Sequence, residues 1–300
     1  MATIAVSGAT GLVGQGLQAA LRLRGVRICR LVRPSSVGDR LPDDIPWDPG
    51  AGTIEAARLE DVDGVVHLAG ESIAGGRWSA ARKRRILESR TQSTRLLAEA
   101  IAGLSRPPPV LVSASAVGFY GACGAKAVDD FAPPGEGFLA DVAQAWEGAA
   151  EPARKAGVRV VHPRFGVVLD PAGGALAKLL PVFRLGLGGR LGDGRQLMSW
   201  IALEDAANAV LHLLDRDDLH GGVNVTAPFP LSNADFTRAL SKAISRPAML
   251  PVPAFALRAA VGQLADEALL SGVGALPQRL NETGFRFSWP RVEPFLRHVL

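Results

Sequence analysis

The hydrophobic and polar positions along the chain predict strands and helices in alternation. Short apolar runs are typical of buried strands, and longer segments whose apolar residues recur every three or four positions are typical of amphipathic helices. The predicted strands are residues 4–7, 26–32, 64–70, 110–115, 158–162 and 222–226. Helices are predicted up to about Arg24, over 79–102 and 137–156, from 200–205 through Leu214, and, with breaks at prolines, from Asn233 onward.

This alternation indicates an α/β fold with a doubly wound parallel sheet. Residues 34–52, rich in Pro, Gly and Asp, are predicted to form a loop, and Gly25 to end the first helix. From Asp170 the composition changes, and the glycine-rich segment 186–194 with the later helices predicts a smaller lobe over the carboxyl ends of the strands. A substrate cleft belongs at that edge of the sheet.

Three glycines follow the first strand in the spacing G-x-x-G-x-x-G. Gly8 lets the chain turn, Gly11 lets the backbone approach a pyrophosphate, and Gly14 lets the helix pack close to the strand. The helix N-terminus then offers free N–H groups and its positive dipole end to the phosphates. An ordinary turn is the alternative, but the position between a clear strand and a clear helix favours a dinucleotide site. The predicted contacts are Gly8, Thr10, Gly11, Leu12, Val13 and Gly14.

This motif assigns functions to the two predicted lobes. Residues 1–170, completed by 203–226, are expected to form the dinucleotide-binding lobe. Residues 171–202 and 227–300 are expected to form the smaller, substrate-binding lobe. The division predicts that a ligand cleft lies between a cofactor and a substrate half.

The end of the second strand indicates which dinucleotide is bound. Dinucleotide folds hold the adenosine ribose there, and an Asp or Glu accepts hydrogen bonds from both ribose hydroxyls. This chain has Arg33 instead. A guanidinium binds a 2′-phosphate through paired hydrogen bonds, whereas a carboxylate repels it. The position therefore favours NADP(H) over NAD(H), and the alternative is a solvated arginine at a strand end.

Further cofactor contacts are predicted nearby. At the end of the third strand, Leu68, Ala69 and Gly70 would let a ribose or a flat ring lie against the backbone. His67, within the same apolar run, is interpreted as a packed, hydrogen-bonded core residue rather than a catalytic base. Arg90 is expected to reach the cofactor phosphates or ribose from its helix, with a surface salt bridge as the alternative.

Composition limits the classes of function. The 300-residue chain is 48% hydrophobic, and its net charge of +4 comes from dispersed arginines rather than a basic block. This distribution argues against nucleic acid as a partner and suits a small anionic molecule. Because no charged leader and no membrane-length apolar segment is visible, we expect a cytoplasmic protein without a membrane partner. Cys29, Cys123 and five scattered histidines offer no metal-ligand spacing.

Several longer motifs resemble one protein family. They are S-G-A-T-G-L-V-G at Ser7, H-L-A-G-E-S-I at His67, R-W-S-A-A-R-K at Arg77, S-A-S-A-V-G-F-Y-G at Ser113, F-R-L-G-L-G-G at Phe183 and G-D-G-R-Q-L-M-S-W-I at Gly192. The chain resembles the extended short-chain dehydrogenase/reductase superfamily, and more closely its atypical epimerase family. That family combines an NAD-dependent epimerase/dehydratase domain with a C-terminal domain of unknown function. The resemblance covers nearly the whole chain and implies a Rossmann-type fold and a nicotinamide cofactor.

The proton-transfer pair typical of that superfamily is missing. Its members use a tyrosine whose pKa is lowered by a lysine four residues later, in Y-x-x-x-K. Tyr120 is the only tyrosine here, and Gly124 follows it at that spacing. If Glu147 marks the usual acidic residue of the catalytic helix, Leu139 and Ala143 occupy the two positions. Neither side chain transfers a proton.

The resemblance suggests residues that could replace this pair. Ser113 or Ser115, at the end of a strand where the superfamily places a substrate-orienting serine, would donate to a carbonyl, and Tyr120 would be the proton donor. Alternatively, the serines satisfy local backbone groups and the tyrosine packs in its loop. Arg164 is expected to contact the nicotinamide ribose or substrate, with a buried ion pair as the alternative. Arg195 resembles the phosphate-binding arginine of sugar-nucleotide epimerases, with a surface loop arginine as the alternative.

Two classes of function remain open. An enzyme would transfer hydride between NADP(H) and an unidentified carbonyl or alcohol substrate, as an oxidoreductase or as one half of an epimerisation. A non-catalytic regulator would sense NADP(H) and act through a protein partner. The missing pair favours the regulator, whereas the serines, Tyr120 and the glycine-rich loop favour the enzyme.

Overall fold

A mostly parallel sheet forms the centre of the computed structural model, which describes residues 2–33, 41–124 and 126–300. The strands are β1 (Thr3–Ser7), β2 (Arg27–Val32), β3 (Ile45–Asp48), β4 (Thr53–Ile54), β5 (Gly64–His67), β6 (Val110–Ser113), β7 (Ser115–Ala116), β8 (Ala127–Val128), β9 (Arg159–Phe165), β10 (Val167–Asp170), β11 (Leu197–Met198), β12 (Trp200–Ala202), β13 (Gly221–Val225), β14 (Leu231–Ser232) and β15 (Gly274–Ala275).

Ten α-helices lie within the described ranges. They are α1 (Leu12–Leu23), α2 (Ala80–Ala102), α3 (Phe138–Gly148), α4 (Glu151–Lys155), α5 (Gly174–Arg184), α6 (Leu203–Asp215), α7 (Asn233–Ala243), α8 (Ala254–Val261), α9 (Gln278–Glu282) and α10 (Val292–Val299). Single 3₁₀ turns occur at Ala56–Leu59 and Val117–Tyr120, and a π turn at Ala265–Leu269. No helix among the described residues is long and apolar enough to cross a lipid bilayer.

The strand order explains where a ligand can bind. Across the central sheet the order is β13-β9-β6-β5-β1-β2-β3-β4, with β7 also beside β9. Neighbours are parallel except for the β3–β4 pair at the edge. From β1 the chain first adds strands on one side and then, from β5 onward, on the other. The connections that leave the carboxyl ends of β1 and β5 therefore run to opposite faces of the sheet and leave a crevice between them, and the predicted Rossmann-type, doubly wound α/β fold is confirmed.

Helices cover both faces of the sheet because its central strands are apolar on both sides. On one face α1 and α6 pack together over Ile4, Val6 and Val66. On the other, α2 and α4 pack over Ala5 and Val65. Although α6 and β13 come late in the chain, α6 packs on the central sheet and β13 pairs with β9 in it.

A further core occupies the C-terminal part of the chain. It is centred on Trp200, which is 0% exposed, and includes Leu176 of α5, Phe236 and Leu240 of α7 and Phe295 of α10. This core is separate from the two cores that flank the central sheet. The limits given for the two lobes from the sequence stay a prediction.

Two predictions from the sequence are wrong: one predicted helix is divided at a proline, and one predicted loop contains a strand of the sheet. The expected helix 137–156 is divided into α3 and α4, since Pro152 lies in the first turn of α4 and cannot continue a preceding helix. The expected loop 34–52 contains β3, whose Ile45 and Trp47 alternate into the core, 1% and 4% exposed. Residues 34–40 of that loop lie outside the described residues.

Strand β9 is longer than predicted because the strand beside it is interrupted near Pro163 of β9. It runs on through Pro163, although proline has no N–H to donate. The adjacent strand is interrupted at Ala114, between β6 and β7. The His162 imidazole donates from Nδ1 to the Ser113 carbonyl oxygen (3.2 Å), so that oxygen has a partner.

Candidate functional site

The turn after β1 is built from glycines that leave no room for side chains. Gly8 has a φ of +68°, and a Cβ there would lie 2.6 Å from the carbonyl carbon of Leu68, just after β5. A Cβ on Gly14 would lie 2.2 Å from the Gly8 carbonyl oxygen. A larger residue at either position would force α1 away from the sheet. These are the turning and packing roles predicted for the two glycines.

The first turn of α1 presents free amide groups beside this turn. Gly11 precedes the helix in an extended conformation and provides no side-chain cap. Within the described part of the chain, the N–H groups of Leu12, Val13 and Gly14 have no acceptor. The first turn also contains no acidic residue. The free amides and the positive end of the helix dipole therefore suit an anion.

A cleft of about 630 Å³ opens at this edge of the sheet. It is lined by Gly8, Ala9, Thr10, Gly11, Arg30, Leu31, Val32, Arg33, Trp47, Asp48, Pro49, Gly50, Leu68, Ala69, Gly70, Glu71, Glu88, Ser89, Gln92 and Ser93. The structure thus brings the predicted glycine turn, the end of β2 and the segment after β5 together around one space. We call it the dinucleotide cleft.

Two arginines at the end of β2 are engaged differently. Arg30 donates to both carboxylate oxygens of Asp44 (2.7 and 2.6 Å), and Asp44 is buried. Arg33 is exposed and forms no ion pair with any carboxylate that the structure describes. The charge of Arg30 is therefore balanced inside the protein, whereas no described carboxylate balances the charge of Arg33.

Arg90 on α2 is a partly desolvated cation beside the cleft. Its guanidinium carbon lies 4.9 Å from the ring centroid of Trp146 and 3.4 Å from the place of a Cβ on Gly70. Burial lowers the pKa of Arg90 to about 10, although the charge of Glu71 raises it. Among the described residues no carboxylate forms an ion pair with it, so the surface salt bridge considered above is absent there. A cation in this environment complements an anionic ligand.

His67 links the floor of the cleft to α2. The Ser93 hydroxyl donates to the Ser89 carbonyl oxygen (2.7 Å) and accepts from Nε2 of His67 (3.1 Å). Nδ1 then accepts from the Ser7 hydroxyl (2.6 Å), which in turn accepts the N–H of Leu68 (3.2 Å). The imidazole is 0% exposed, and burial lowers its pKa to about 4. His67 is neutral and hydrogen-bonded, which confirms its interpretation as a core residue.

A buried ion pair lies at the ends of β7 and β9. Arg164 donates to both carboxylate oxygens of Glu147 on α3 (2.8 and 3.0 Å), and the Ser115 hydroxyl donates to the same carboxylate (2.7 Å). Arg164 is 6% exposed, with its guanidinium carbon 3.5 Å from the Phe119 ring centroid. Burial lowers the pKa of Arg164, but the hydrogen bonds and charge of Glu147 outweigh this effect, and the pKa is raised.

Tyr120 belongs to the same network. Its hydroxyl donates to Asn224 Oδ1 (2.7 Å) and accepts from Arg164 (2.9 Å). The residue is 4% exposed, and burial raises its pKa despite the opposing charge of Arg164. Asp130 continues the network by accepting the backbone N–H groups of Asn224 (2.5 Å) and Arg279 (3.1 Å). The tyrosine hydroxyl therefore makes its hydrogen bonds to other residues inside the fold.

The residues predicted for catalysis and substrate binding do not line the dinucleotide cleft. Ser115, Tyr120 and Arg164 share the buried network, and Ser113 is 0% exposed, with no partner for its hydroxyl among the described residues. Arg195 is exposed on its loop. The roles assigned to these five residues stay predictions. For Tyr120 and Arg164 the geometry favours the buried alternatives.

The model of the NAD dependent epimerase/dehydratase family matches residues 4–225 of this chain. The chain belongs to this family. A model for a domain of unknown function (DUF1731) matches residues 252–299. The two-part resemblance seen in the sequence motifs is thereby confirmed.

Relatives of this epimerase-family chain match it over nearly its whole length. Epimerase family protein Mb2239 of Mycobacterium bovis is 44% identical over 286 residues, which are 95% of this chain and 93% of the relative. Epimerase family protein SDR39U1 of Homo sapiens is 33% identical over 300 residues, with 99% of each covered.

Solved structures show the same fold with nicotinamide cofactors. Human epimerase family protein SDR39U1 (isoform2), crystallised with NADPH, has a TM-score of 0.88 and 32% identity, covering 99% of this chain and 98% of that one. UDP-glucose 4-epimerase of Thermus thermophilus in complex with NAD has a TM-score of 0.74 and 20% identity, covering 99% and 97%. The second likeness concerns the fold alone.

Helix α3 carries Leu139 and Ala143, the two residues compared with the superfamily's tyrosine and lysine in the sequence analysis. Leu139 lies in its first turn, and Ala143 is 3% exposed on its buried face. The carboxylate of Glu267 accepts the N–H groups of Phe138 and Leu139 (3.0 and 2.9 Å). A residue of the segment matched as a domain of unknown function thus caps the first turn of α3.

Sequence reasoning missed part of the cleft wall. Ser89, Gln92 and Ser93 line the cleft from α2. Their spacing places them on one face of the helix, and this polar face was a signal available in the sequence. Trp47 and Asp48 were missed because their strand was predicted to be a loop.

Proposed function

We propose that this chain binds NADP(H) in the dinucleotide cleft and acts as an atypical oxidoreductase or epimerase on a carbonyl or alcohol substrate. The observation that carries the proposal is the exposed Arg33 at the end of β2, outside any ion pair with the described residues. NAD-binding folds place a carboxylate there, whereas a guanidinium binds a 2′-phosphate. The NADPH in the human relative's crystal structure supports the same cofactor.

The remaining cleft residues suit the rest of this cofactor. The free amides of Leu12, Val13 and Gly14 would hold the pyrophosphate at the positive end of α1. Arg90, partly desolvated and without an ion pair among the described residues, would contact phosphate or ribose oxygens. When bound, NADP(H) supplies or accepts the hydride, and these groups bind and orient it. The substrate and the cytoplasmic location stay predictions.

The variant Gly11→Ala tests the cofactor site with little disturbance of the fold. The φ of Gly11 is −74°, which alanine adopts freely, and the new Cβ would meet the Gly8 carbonyl oxygen at 3.2 Å. We expect wild type to bind NADPH, measured by nicotinamide fluorescence, and the variant to bind it about tenfold more weakly because the methyl group holds the pyrophosphate off the backbone. Gly148→Ala, where a Cβ meets nothing within 4 Å, is the control. Absence of NADPH binding to wild type, or equal binding by Gly11→Ala, contradicts the proposal.

Turnover distinguishes the enzyme from a second candidate, a non-catalytic NADP(H)-sensing regulator. The burial of Ser115 and Tyr120 in an internal network favours the regulator. An enzyme oxidises NADPH with at least one aldehyde or ketone, reduces NADP⁺ with at least one alcohol, or, as an epimerase, inverts a stereocentre of its substrate with no net change in the cofactor. A regulator does none of these, and its affinity for a protein partner changes when NADPH saturates it.

A further inference from the structure

A second cleft, in the C-terminal lobe, has chemistry of its own. Its volume is about 500 Å³, and it lies between α7, Arg190 and the segment 247–251. It shares no lining residue with the dinucleotide cleft. The volume is within the range of small-molecule sites.

The glycine-rich segment 186–194 forms part of this cleft by packing its backbone against segment 250–252. A Cβ on Gly189 would lie 1.7 Å from the Leu250 carbonyl oxygen, so only glycine fits there. The N–H of Val252 donates to the Arg190 carbonyl oxygen (2.9 Å). The motif thus brings the two segments together and places Arg190 at the cleft.

The polar side of this cleft is positively charged and incompletely paired. Thr237 and Arg238 lie on the face of α7 that lines it. Arg238 uses Nη2 to bind Asp235, and its other nitrogens have no acceptor in the described chain. The Arg190 side chain and the Thr237 hydroxyl likewise have no hydrogen-bond partner among the described residues. The lining residues include two arginines and no carboxylate.

The other side of the cleft is apolar. It consists of Pro247, Ala248, Met249 and Pro251. Met249 is 82% exposed, which leaves a flexible apolar side chain in water beside two arginines. Methionine adapts readily to the shape of an apolar ligand. The cleft therefore suits a ligand that is anionic at one end and apolar at the other.

We propose that this cleft binds a small phosphate ester. Arg190, Arg238 and the Thr237 hydroxyl hold the phosphate oxygens, because guanidinium groups match phosphate geometry and charge. The organic part of the ester lies against Met249 and the prolines. The proposal is independent of cofactor binding in the dinucleotide cleft.

Phenyl phosphate is the probe for this site, with binding measured by isothermal titration calorimetry on the full chain. We expect phenyl phosphate to bind wild type more tightly than inorganic phosphate, which lacks the apolar ring, and more tightly than phenol, which lacks the phosphate. Arg190→Gln and Arg238→Gln should each weaken binding about tenfold or more. Arg297→Gln, which removes an exposed arginine outside the cleft, should bind as wild type.

Two further measurements distinguish binding at this site from binding in the dinucleotide cleft and from an effect of the substitutions on folding. Thr237→Val keeps the side-chain shape and should also weaken binding. Saturating NADPH should leave phenyl phosphate binding unchanged. Absence of binding to wild type, equal binding by the arginine variants, or displacement of phenyl phosphate by NADPH would overturn the proposal. A failure of NADPH to bind would leave the phenyl phosphate result intact.

Discussion

The dinucleotide cleft and the buried network around Arg164 use polar residues in opposite ways. In and beside the cleft, Arg33 and Arg90 form no ion pair with described carboxylates, and the amides at the start of α1 have no acceptor among the described residues. In the buried network, Arg164 donates to Glu147 and to Tyr120 inside the fold. Exposed polar groups without a protein partner are hydrated and can exchange water for a ligand, whereas buried groups that pair with each other hold elements in place.

This difference distinguishes two sequence motifs by their surroundings in the fold. The glycine turn opens onto the cleft, whereas the segment S-A-S-A-V-G-F-Y-G ties β7, α3, β9 and β13 together. Without a tyrosine and lysine on α3, the hydroxyls of Ser115 and Tyr120 serve that connection. Variants of the network should therefore change stability, and variants of the cleft should change binding.

The largest expected effect comes from Arg164→Ala. Removing the guanidinium leaves the buried carboxylate of Glu147 without its partner, and we expect the free energy of unfolding to fall by about 3 to 5 kcal/mol. Urea denaturation measures this change. Arg154→Ala breaks an exposed arginine–glutamate pair on α4 and should cost about 0 to 1 kcal/mol. Equal losses for the two variants would show that the network does not stabilise the fold.

The next effect is the pH dependence that His67 confers. Its pKa is about 4 in the folded state against an ordinary value of 6.5, so the unfolded chain takes up a proton first as pH falls. Stability should therefore be lost between about pH 6.5 and pH 4, by about 3 kcal/mol in full. His67→Asn should lose less stability over this window, measured by Tm against pH. The exposed His220→Asn should follow wild type, and parallel curves for all three proteins would contradict the assignment.

Tyr120→Phe should have a smaller effect on stability. It leaves Asn224 Oδ1 buried without its donor, and we expect a loss of about 1 to 3 kcal/mol by urea denaturation. Because the hydroxyl lies outside the dinucleotide cleft, NADPH affinity should not change. An unchanged stability together with weaker NADPH binding would move Tyr120 from the network to the cofactor site.

Local sequence patterns predicted most of the central sheet and the glycine turn, because both depend on residues close together in the chain. Strand β3 and the continuation of β9 through Pro163 depend on neighbouring strands, and no local pattern reports them. For Arg164 the sequence leaves two alternatives, a contact with cofactor or substrate and a buried ion pair. Only the folded structure, which brings β9 close to α3, shows the ion pair with Glu147. For Arg90, the absence of an ion pair with any described carboxylate likewise depends on the folded structure.

The central claim, that the exposed Arg33 at the end of β2 selects NADP(H), is tested most directly by comparing NADPH and NADH binding in wild type and Arg33→Ala. We expect wild type to prefer NADPH and the variant to bind NADPH about tenfold more weakly, a change of about 1.4 kcal/mol, with NADH binding unchanged. Arg106→Ala, an exposed arginine just before β6 at the amino-terminal edge of the sheet, is the matched control and should behave as wild type. Equal losses for NADPH and NADH in Arg33→Ala, or no loss for either, would contradict the account.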